Sequence, residues 1–482
     1  MLSQLHKGFK FAVQQIVMRV QHIFYSILIM AGVWTIAISN SGCAQIGAVT
    51  GGARDTLAPV LVSANPKLSS TNVSTSKINL NFDEYIDIQE LQSNLIVSPL
   101  PKVNPEVSFK FKTLTIKLKD SLLPNTTYSI KFGDAVRDVN EANIVKNFTY
   151  VFSTGKHIDS LEVTGKLVLA ENDQPDSTLM VMLYRNTNDT AVQKLKPDYI
   201  ARPNGKGIFS FTNLPAEKFS LYALKDGDGG KTYNSKSEIF AFADTVVLPS
   251  ENPEPVALFA YAEEKNTKPV TTTTLVKPKT AAQKKLRLSS KVVNEKQDLR
   301  GNLVLELSNN IKSYDSSKII LTDTNYVPFT NVVYLKDSMK ITLKTQWNED
   351  ADYRLIIFKN AVNDIIDSSI NKTDTIRFKT KREADYGNIT LRFNNIDLKK
   401  HPVIQFTQND EIKESFAIAG KEWQYKLFPP GEYDIRILYD ANQNGKWDPG
   451  NYSKKMQPEK VISLPKKITI RENWDNESEI SL

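Results

Sequence analysis

The chain has 482 residues, with 61 Lys and Arg against 54 Asp and Glu, a net charge of +7, and 40% apolar residues. That length suits three or four ordinary domains, and the composition is that of a foldable chain, neither disordered nor collagen-like. One cysteine excludes an intrachain disulfide, and of four histidines only His157 and His401 follow residue 42, which removes most histidine-based chemistry. There is no HExxH metal motif, no Ser-His-Asp set with a local signature, no G-x-S-x-G elbow and no Walker loop. The densest basic run, Lys277–Arg287, has no interleaved aromatics, so the charge does not point to nucleic acid.

At the N-terminus, Lys7, Lys10 and Arg19 precede an uncharged apolar run, Ile23–Ile38, followed by small and polar residues up to Cys43. A basic start, a short apolar segment and a small-residue cleavage site describe a secretory signal, and the run is shorter than the ~20 residues that span a bilayer comfortably. Met18 is an alternative start that gives a signal of ordinary length. A cysteine at the cleavage point resembles a bacterial lipoprotein signal, which implies lipidation of Cys43 and removal of residues 1–42. Ser41 and Gly42 fit that pattern, whereas Asn40 stands where an aliphatic residue is usual. An uncleaved N-terminal anchor and a buried core segment are the alternatives.

After a short tether, 43–56, the pattern is β throughout. Alternating runs such as Lys77–Phe82, Leu114–Leu118, Tyr128–Phe132 and Phe148–Phe152 place apolar residues on one face, with Pro, Asn, Asp and Ser between them. Short strands at regular spacing without helical periodicity predict an all-β chain of tandem β-sandwiches. The expected regions are 57–156, 157–262, 286–381 and 382–482. A Thr-, Lys- and Pro-rich linker, 263–285, separates the second from the third.

The four regions form a pair used twice. Phe132, Ala135, Val136, Asp138, Phe152 and Thr154 recur 226 residues later as Phe358, Ala361, Val362, Asp364, Phe378 and Thr380. Ile116, Leu118 and Tyr128 match Ile341, Leu343 and Tyr353 at an offset of 225, implying one inserted residue in the strand between. The second and fourth regions match at 214: Phe209 and Phe211 with Trp423 and Tyr425, Pro215 with Pro429, and Phe219 with Tyr433. Leu224 and Asp226 pair likewise with Leu438 and Asp440, and Tyr233 with Trp447.

The first region, with Ala58-Pro59, Ile78–Tyr85, Leu123–Ile130, Asp138-Val-Asn140 and the closing Phe152-Ser-Thr-Gly155, resembles the bacterial Ig-like domain known from S-layer proteins. Gly207–Asp226 is similar to transthyretin-like or carboxypeptidase-regulatory-like sandwiches. Behind Cys43, the combination resembles Ig-like-domain lipoproteins of Bacteroidota. The resemblance implies a four-sandwich rod on a lipid tether in the outer membrane, with cell-surface display favoured over the periplasmic face. Ala44–Gly52, however, lacks the acidic export signal of many such surface proteins.

Candidate sites are few. Asp440, Asn442, Asn444 and Asp448, with Gly445 at the turn, fit the first nine positions of a calcium loop; position 12 is Asn451 instead of a bidentate Glu, and β runs flank the loop. The alternative is a structural turn in which the Asp and Asn side chains bond backbone amides and Trp447 packs the loop down. The matching loop Asp226–Gly230 has fewer side-chain oxygens. Asp83-Glu84 is the one close acidic pair after an apolar strand, and strand alternation would point its two carboxylates apart. Trp423, Tyr425, Trp447 and Tyr452 are either a carbohydrate platform or core rings. Asp-(Ser/Thr) tripeptides, among them Asp176-Ser-Thr, Asp189-Thr-Ala and Asp244-Thr-Val, resemble the Bacteroidota O-glycosylation sequon.

The function expected is that of a non-enzymatic protein-binding or scaffold subunit of an envelope complex, such as a barrel-assembly or secretion machine, with outer-membrane proteins as partners and calcium at the Asp440 loop as the one candidate cofactor. The alternative is a glycan-binding surface lipoprotein for nutrient uptake. An enzyme whose carboxylates meet only in three dimensions ranks third.

Overall fold

A computed structural model describes residues 18–34, 54–264, 286–293, 295–366 and 368–482. Cys43 and the body of the expected linker lie outside the described residues. The described chain falls into two compact units: residues up to Ala58 with Asp138–Asn143, and Pro59–Arg137 with Ile144–Leu482.

In the first unit, residues 18–34 are helical and largely exposed. No described helix is long and apolar enough to cross a membrane. In the same unit Asp138 is buried and closes its own loop: Oδ1 accepts the amides of Glu141 and Ala142, and Oδ2 that of Asn143. These bonds hold its carboxyl below the usual range despite the opposing push of burial.

The second unit is all-β and built of tandem sandwiches. In the first region one sheet runs Leu61–Asn65, Lys77–Phe82, Thr113–Lys117, Glu106–Lys110 in spatial order, and faces Ile96–Ser98, Thr127–Gly133, Phe148–Ser153. Alternation places Ile78, Leu80, Leu114 and Ile116 against Ile130, Phe132, Tyr150 and Phe152, all fully buried. Each such side chain contributes about 1.5–3 kcal/mol by leaving water. The third region repeats the arrangement. Leu288–Ser289, Leu303–Leu307, Lys340–Lys344 and Val333–Asp337 form one sheet, and Ile319–Thr322, Asp352–Ile357 and Asp374–Lys379 form the other.

The second and fourth regions share a different pattern. Leu161–Leu169 lies between an antiparallel Ile208–Leu214 and a parallel Val256–Ala260; Gly387–Asn394 lies in the same way between Glu422–Phe428 and Asp475–Ser481. Both central strands carry a register shift near their starts, at Leu161/Val163 and Gly387/Ile389. The facing sheets run Tyr199–Ala201, Met180–Tyr184, Ser220–Leu224, Phe240–Phe242 and Glu411–Ala417, Pro402–Gln408, Gly431–Tyr439, Val461–Ser463.

The repeated residues do repeated work. Tyr128 and Tyr353 stack on Phe152 and Phe378, and their hydroxyls accept the amides of Leu123 and Asn348. Thr154 and Thr380 hydroxyls accept from Thr126 and Ala351 and donate to Leu123 and Asn348 carbonyls. The sequence pairing fails in two places. The strand registers set Ile116 opposite Ile78 and Leu343 opposite Leu303, so Ile116 corresponds to Leu343 and not to Ile341. Phe132 is buried, but Phe358 is 39% exposed, and Ile357 fills the core instead. The inserted residue therefore follows Ile357, and one extra residue turns the next side chain to the opposite face.

Candidate functional site

Tyr452 connects the fourth region to the second. Asn451 accepts the Lys454 amide, and Lys455 is left-handed at φ 53°, so the short turn Tyr452–Lys454 presents the tyrosine outward from its own sandwich. The ring is nonetheless 4% exposed, because it enters an aromatic pocket of the second region. It makes edge contacts with Phe240 and Phe242 at 5.0 and 5.3 Å and with Tyr222 at 5.9 Å. Its hydroxyl donates to the Asp189 carbonyl at 2.7 Å and lies 3.1 Å from the Tyr222 hydroxyl, while its amide donates to Glu263 Oε1. The same carboxylate oxygen accepts the Tyr233 hydroxyl. Burial, with the neighbouring Tyr222 phenol, pushes the Tyr452 phenol well above its ordinary pKa.

Around this ring, Lys455 pairs with Asp189 at 2.6 Å, Gln457 donates to the Phe242 carbonyl and to Asp244, and Ser463 donates to the Asn172 carbonyl and Asp173. Glu263, expected at the start of a solvated linker, is fixed in this junction.

The predicted calcium loop lies just before it in sequence. Asp440 is 2% exposed and accepts the Asn444 and Gly445 amides; Asn442 and Asn444 carbonyl oxygens accept the Asn444 and Lys446 amides. Both Asn amide groups donate to Asp448 Oδ2, and Gly445 has φ 76°. These four residues do come together, as a turn closed by its own hydrogen bonds. Glu459, which no loop spacing marks, completes it by accepting the Ala441 and Asp448 amides and, through its backbone carbonyl, the Trp447 indole. Burial raises the Glu459 carboxyl, opposed by those two amides and reinforced by Asp440 and Asp448. The donor atoms are oxygens, the type calcium takes, but the Asn oxygens face backbone amides and would have to turn. Among the described residues no group of three or more His, Cys, Asp or Glu is placed to hold a metal ion. In the counterpart loop, Asp226 and Asp228 likewise accept the amides of Lys231 and Gly230.

Burial removes Tyr452 from any carbohydrate platform. Trp423 and Tyr425 stack at 5.8 Å, half-buried against the core of the fourth region, and Trp447 is half-buried beside the junction. Asp83 and Glu84 lie in a bend beyond the strand Lys77–Phe82, not within it, and Asp83 Oδ1 accepts the Val60 amide. Of the Asp-(Ser/Thr) sites, Asp189 and Asp244 belong to the junction, and Asp176 accepts both the amide and the hydroxyl of Thr178.

The other neighbouring sandwiches are also tied. Leu100 donates its amide to the Asp198 carbonyl, and Asp159 donates to the Thr127 hydroxyl. Between the third and fourth regions the Leu299 amide donates to the Tyr386 hydroxyl, Glu383 to Glu349, and Arg300 pairs with Glu414. A polar cleft of about 860 Å³ lies between the first two sandwiches, lined among others by Lys131, Glu162, Asn94, Asn213 and Ser160. Burial lowers the Lys131 ammonium pKa, and the Glu162 carboxylate partly restores it.

Residues 55–154 match the bacterial Ig-like domain family. No curated protein sequence matches the chain. Among solved structures, the chain is similar to the major pilin subunit BcpA of Bacillus cereus at 10% identity and TM-score 0.17, covering 67% of this chain and 99% of that one. It is similar to the S-layer protein SbsC at 11% and 0.16, covering 88% and 54%, and to the Bacillus anthracis TIE protein at 11% and 0.17, covering 90% and 75%. Likenesses this loose carry no weight for function.

Proposed function

We propose that this chain is a non-enzymatic, lipid-anchored envelope protein, a scaffold subunit that presents β-sandwich surfaces to an outer-membrane protein partner. The observation that carries the reading is the set of fixed junctions. Tyr452 plugs the fourth region into the second, and the first–second and third–fourth pairs are tied by buried or half-buried bonds. Fixed sandwiches hold loops and sheet edges in a constant arrangement, which a binding scaffold needs and a flexible string of domains lacks. The Ig-like match of residues 55–154 agrees with an envelope role. Cys43 is the proposed lipid attachment point, on the outer membrane and with display at the cell surface.

Cross-linking in intact envelopes tests the reading: one outer-membrane barrel protein should dominate the adducts, and adducts to none would overturn it. Cys43→Ala should move the protein from membrane to soluble fraction, and unchanged retention would refute the anchor. At Asp440–Asp448 we propose a structural role, with calcium as the one candidate ligand. Glycan binding is the second reading. The amide- and hydroxyl-lined cleft between the first two sandwiches favours it over the aromatic residues. A glycan array on which Lys131→Ala loses a signal would establish it, and a blank array would end it.

A further inference from the structure

The strands Glu106–Lys110 and Thr113–Lys117 are joined by a two-residue turn, Phe111-Lys112, with Lys110 opposite Thr113. Phe111 has φ 57°, a left-handed value that a bulky side chain rarely adopts and that glycine usually supplies in such hairpins. The surroundings enforce it: the Ile86 and Phe82 amides donate to the Phe111 and Lys112 carbonyls, and Lys112 Nζ donates to the Asp83 carbonyl. The outcome is a phenyl ring 65% exposed, with no core to fill. Tyr85, 53% exposed, meets it edge-on at 5.9 Å; Lys110 lies 5.4 Å from the Phe111 ring and Lys112 5.7 Å from the Tyr85 ring. The third region's matching turn, Ser338-Met339, has neither aromatic residue nor positive φ.

The register fixes where this tip sits. Leu61 pairs with Phe82, and Asn81 with Thr113, so the Phe111 turn and the start of the first strand share one end of the sheet. Val60, exposed there, exchanges hydrogen bonds with Asp83, which turns that carboxylate toward the backbone. The chain thus enters the sandwich at the end that carries Phe111, Tyr85 and the two lysines. Strained residues persist at functional sites when neighbours over-determine them. Exposed rings with lysine ammonium groups beside them suit the headgroup layer of a bilayer, where apolar bodies and cationic heads are both accommodated.

We propose that Phe111, with Tyr85, Lys110 and Lys112, is an interfacial lipid contact that seats the first sandwich on the membrane surface. The proposal rests on the reading that the chain is anchored through its N-terminal segment. The test uses the full lipidated chain carrying Phe111→Trp, bound to phosphatidylethanolamine–phosphatidylglycerol vesicles with lipids brominated near the headgroup end of the acyl chains. The emission added by the introduced indole, taken against the unsubstituted chain, should fall at least two-fold, and Lys110→Glu with Lys112→Glu should abolish that quenching. Phe111→Gly, which removes both the ring and the unfavourable φ, should melt no lower than the unsubstituted chain. A chain that co-floats with vesicles while the added emission is unquenched overturns the lipid contact and leaves the anchor standing. A chain that does not co-float overturns both. Added emission that responds only when an envelope protein is supplied identifies a protein partner at the tip and overturns the lipid contact.

Discussion

Tyr452→Ala is the most informative single change in this chain. Removing a buried aromatic side chain costs about 3–5 kcal/mol in transfer and cavity terms, and here the cavity opens between two sandwiches, not inside one. The lost hydroxyl leaves the Asp189 carbonyl and the Tyr222 hydroxyl without a partner they now have, adding about 1 kcal/mol. The sum, about 4–6 kcal/mol, lowers the equilibrium constant for docking the second region on the fourth by roughly three to four powers of ten. Each sandwich keeps its own core, so the effect should be separation without unfolding. Calorimetry should show the second and fourth regions melting apart, and hydrogen exchange should quicken at the amides of Tyr452 and Met456 and around Tyr233 and Phe240. Tyr452→Phe keeps the ring contacts and should cost only about 1 kcal/mol. If Tyr452→Ala melts and exchanges as the unsubstituted chain does, this ring does not hold the junction.

Three further outcomes follow from the same contacts. Glu414→Gln leaves the half-buried Arg300 guanidinium without its carboxylate and should destabilise the third–fourth junction by about 1.5–3 kcal/mol, while replacing both residues by methionine should recover most of it, as double-mutant thermal melts would show. Burial pushes the Tyr150, Tyr199 and Tyr386 phenols up to about 12. The folded state then holds these protons more tightly than the unfolded chain, so their contribution is complete below the ordinary phenol value near 10 and declines as pH rises through about 12. Absorbance at 295 nm should therefore report these phenols ionising together with unfolding; ionisation near 10 with the fold intact would contradict the burial. At the Asp440 turn, Asp448→Ala should lower the melting temperature by releasing both Asn amides, and calorimetric titration with calcium chloride should show heat only if those side chains turn to offer their oxygens.

Much of the fold is written in local pattern. Lys77–Phe82 alternates cleanly because one face meets the core and the other is polar, and the structure has a strand over those residues. The repeat was legible because Tyr128, Thr154 and their counterparts close the same turn with the same bonds, so the side chains cannot vary freely. Phe358 shows the limit of such matching, because identity at an offset says nothing about which face a residue takes after an insertion. The Asp440 turn was legible as a loop, since Asn and Gly spacing follows from backbone geometry. Glu459 was not, because it arrives from a separate segment. Tyr452 could be noticed as an aromatic residue, but its pocket is made by Tyr222, Tyr233, Phe240 and Phe242 of another region, and no local periodicity reports contacts of that separation. Glu263 is hidden for the same reason: its composition reads as linker, and its fixed place comes from contacts with Tyr452, Tyr233 and Lys236 that no local pattern reports.

The proposed role of these locked sandwiches is to serve a protein partner in the envelope. The measurement that meets it most directly is co-purification of the tagged full-length chain from gently solubilised outer membranes, with the mass of the isolated particle determined. We expect a discrete complex with one outer-membrane barrel protein in fixed ratio, weakened by Tyr452→Ala. A particle with the mass of the chain alone, unchanged by that substitution, would contradict it.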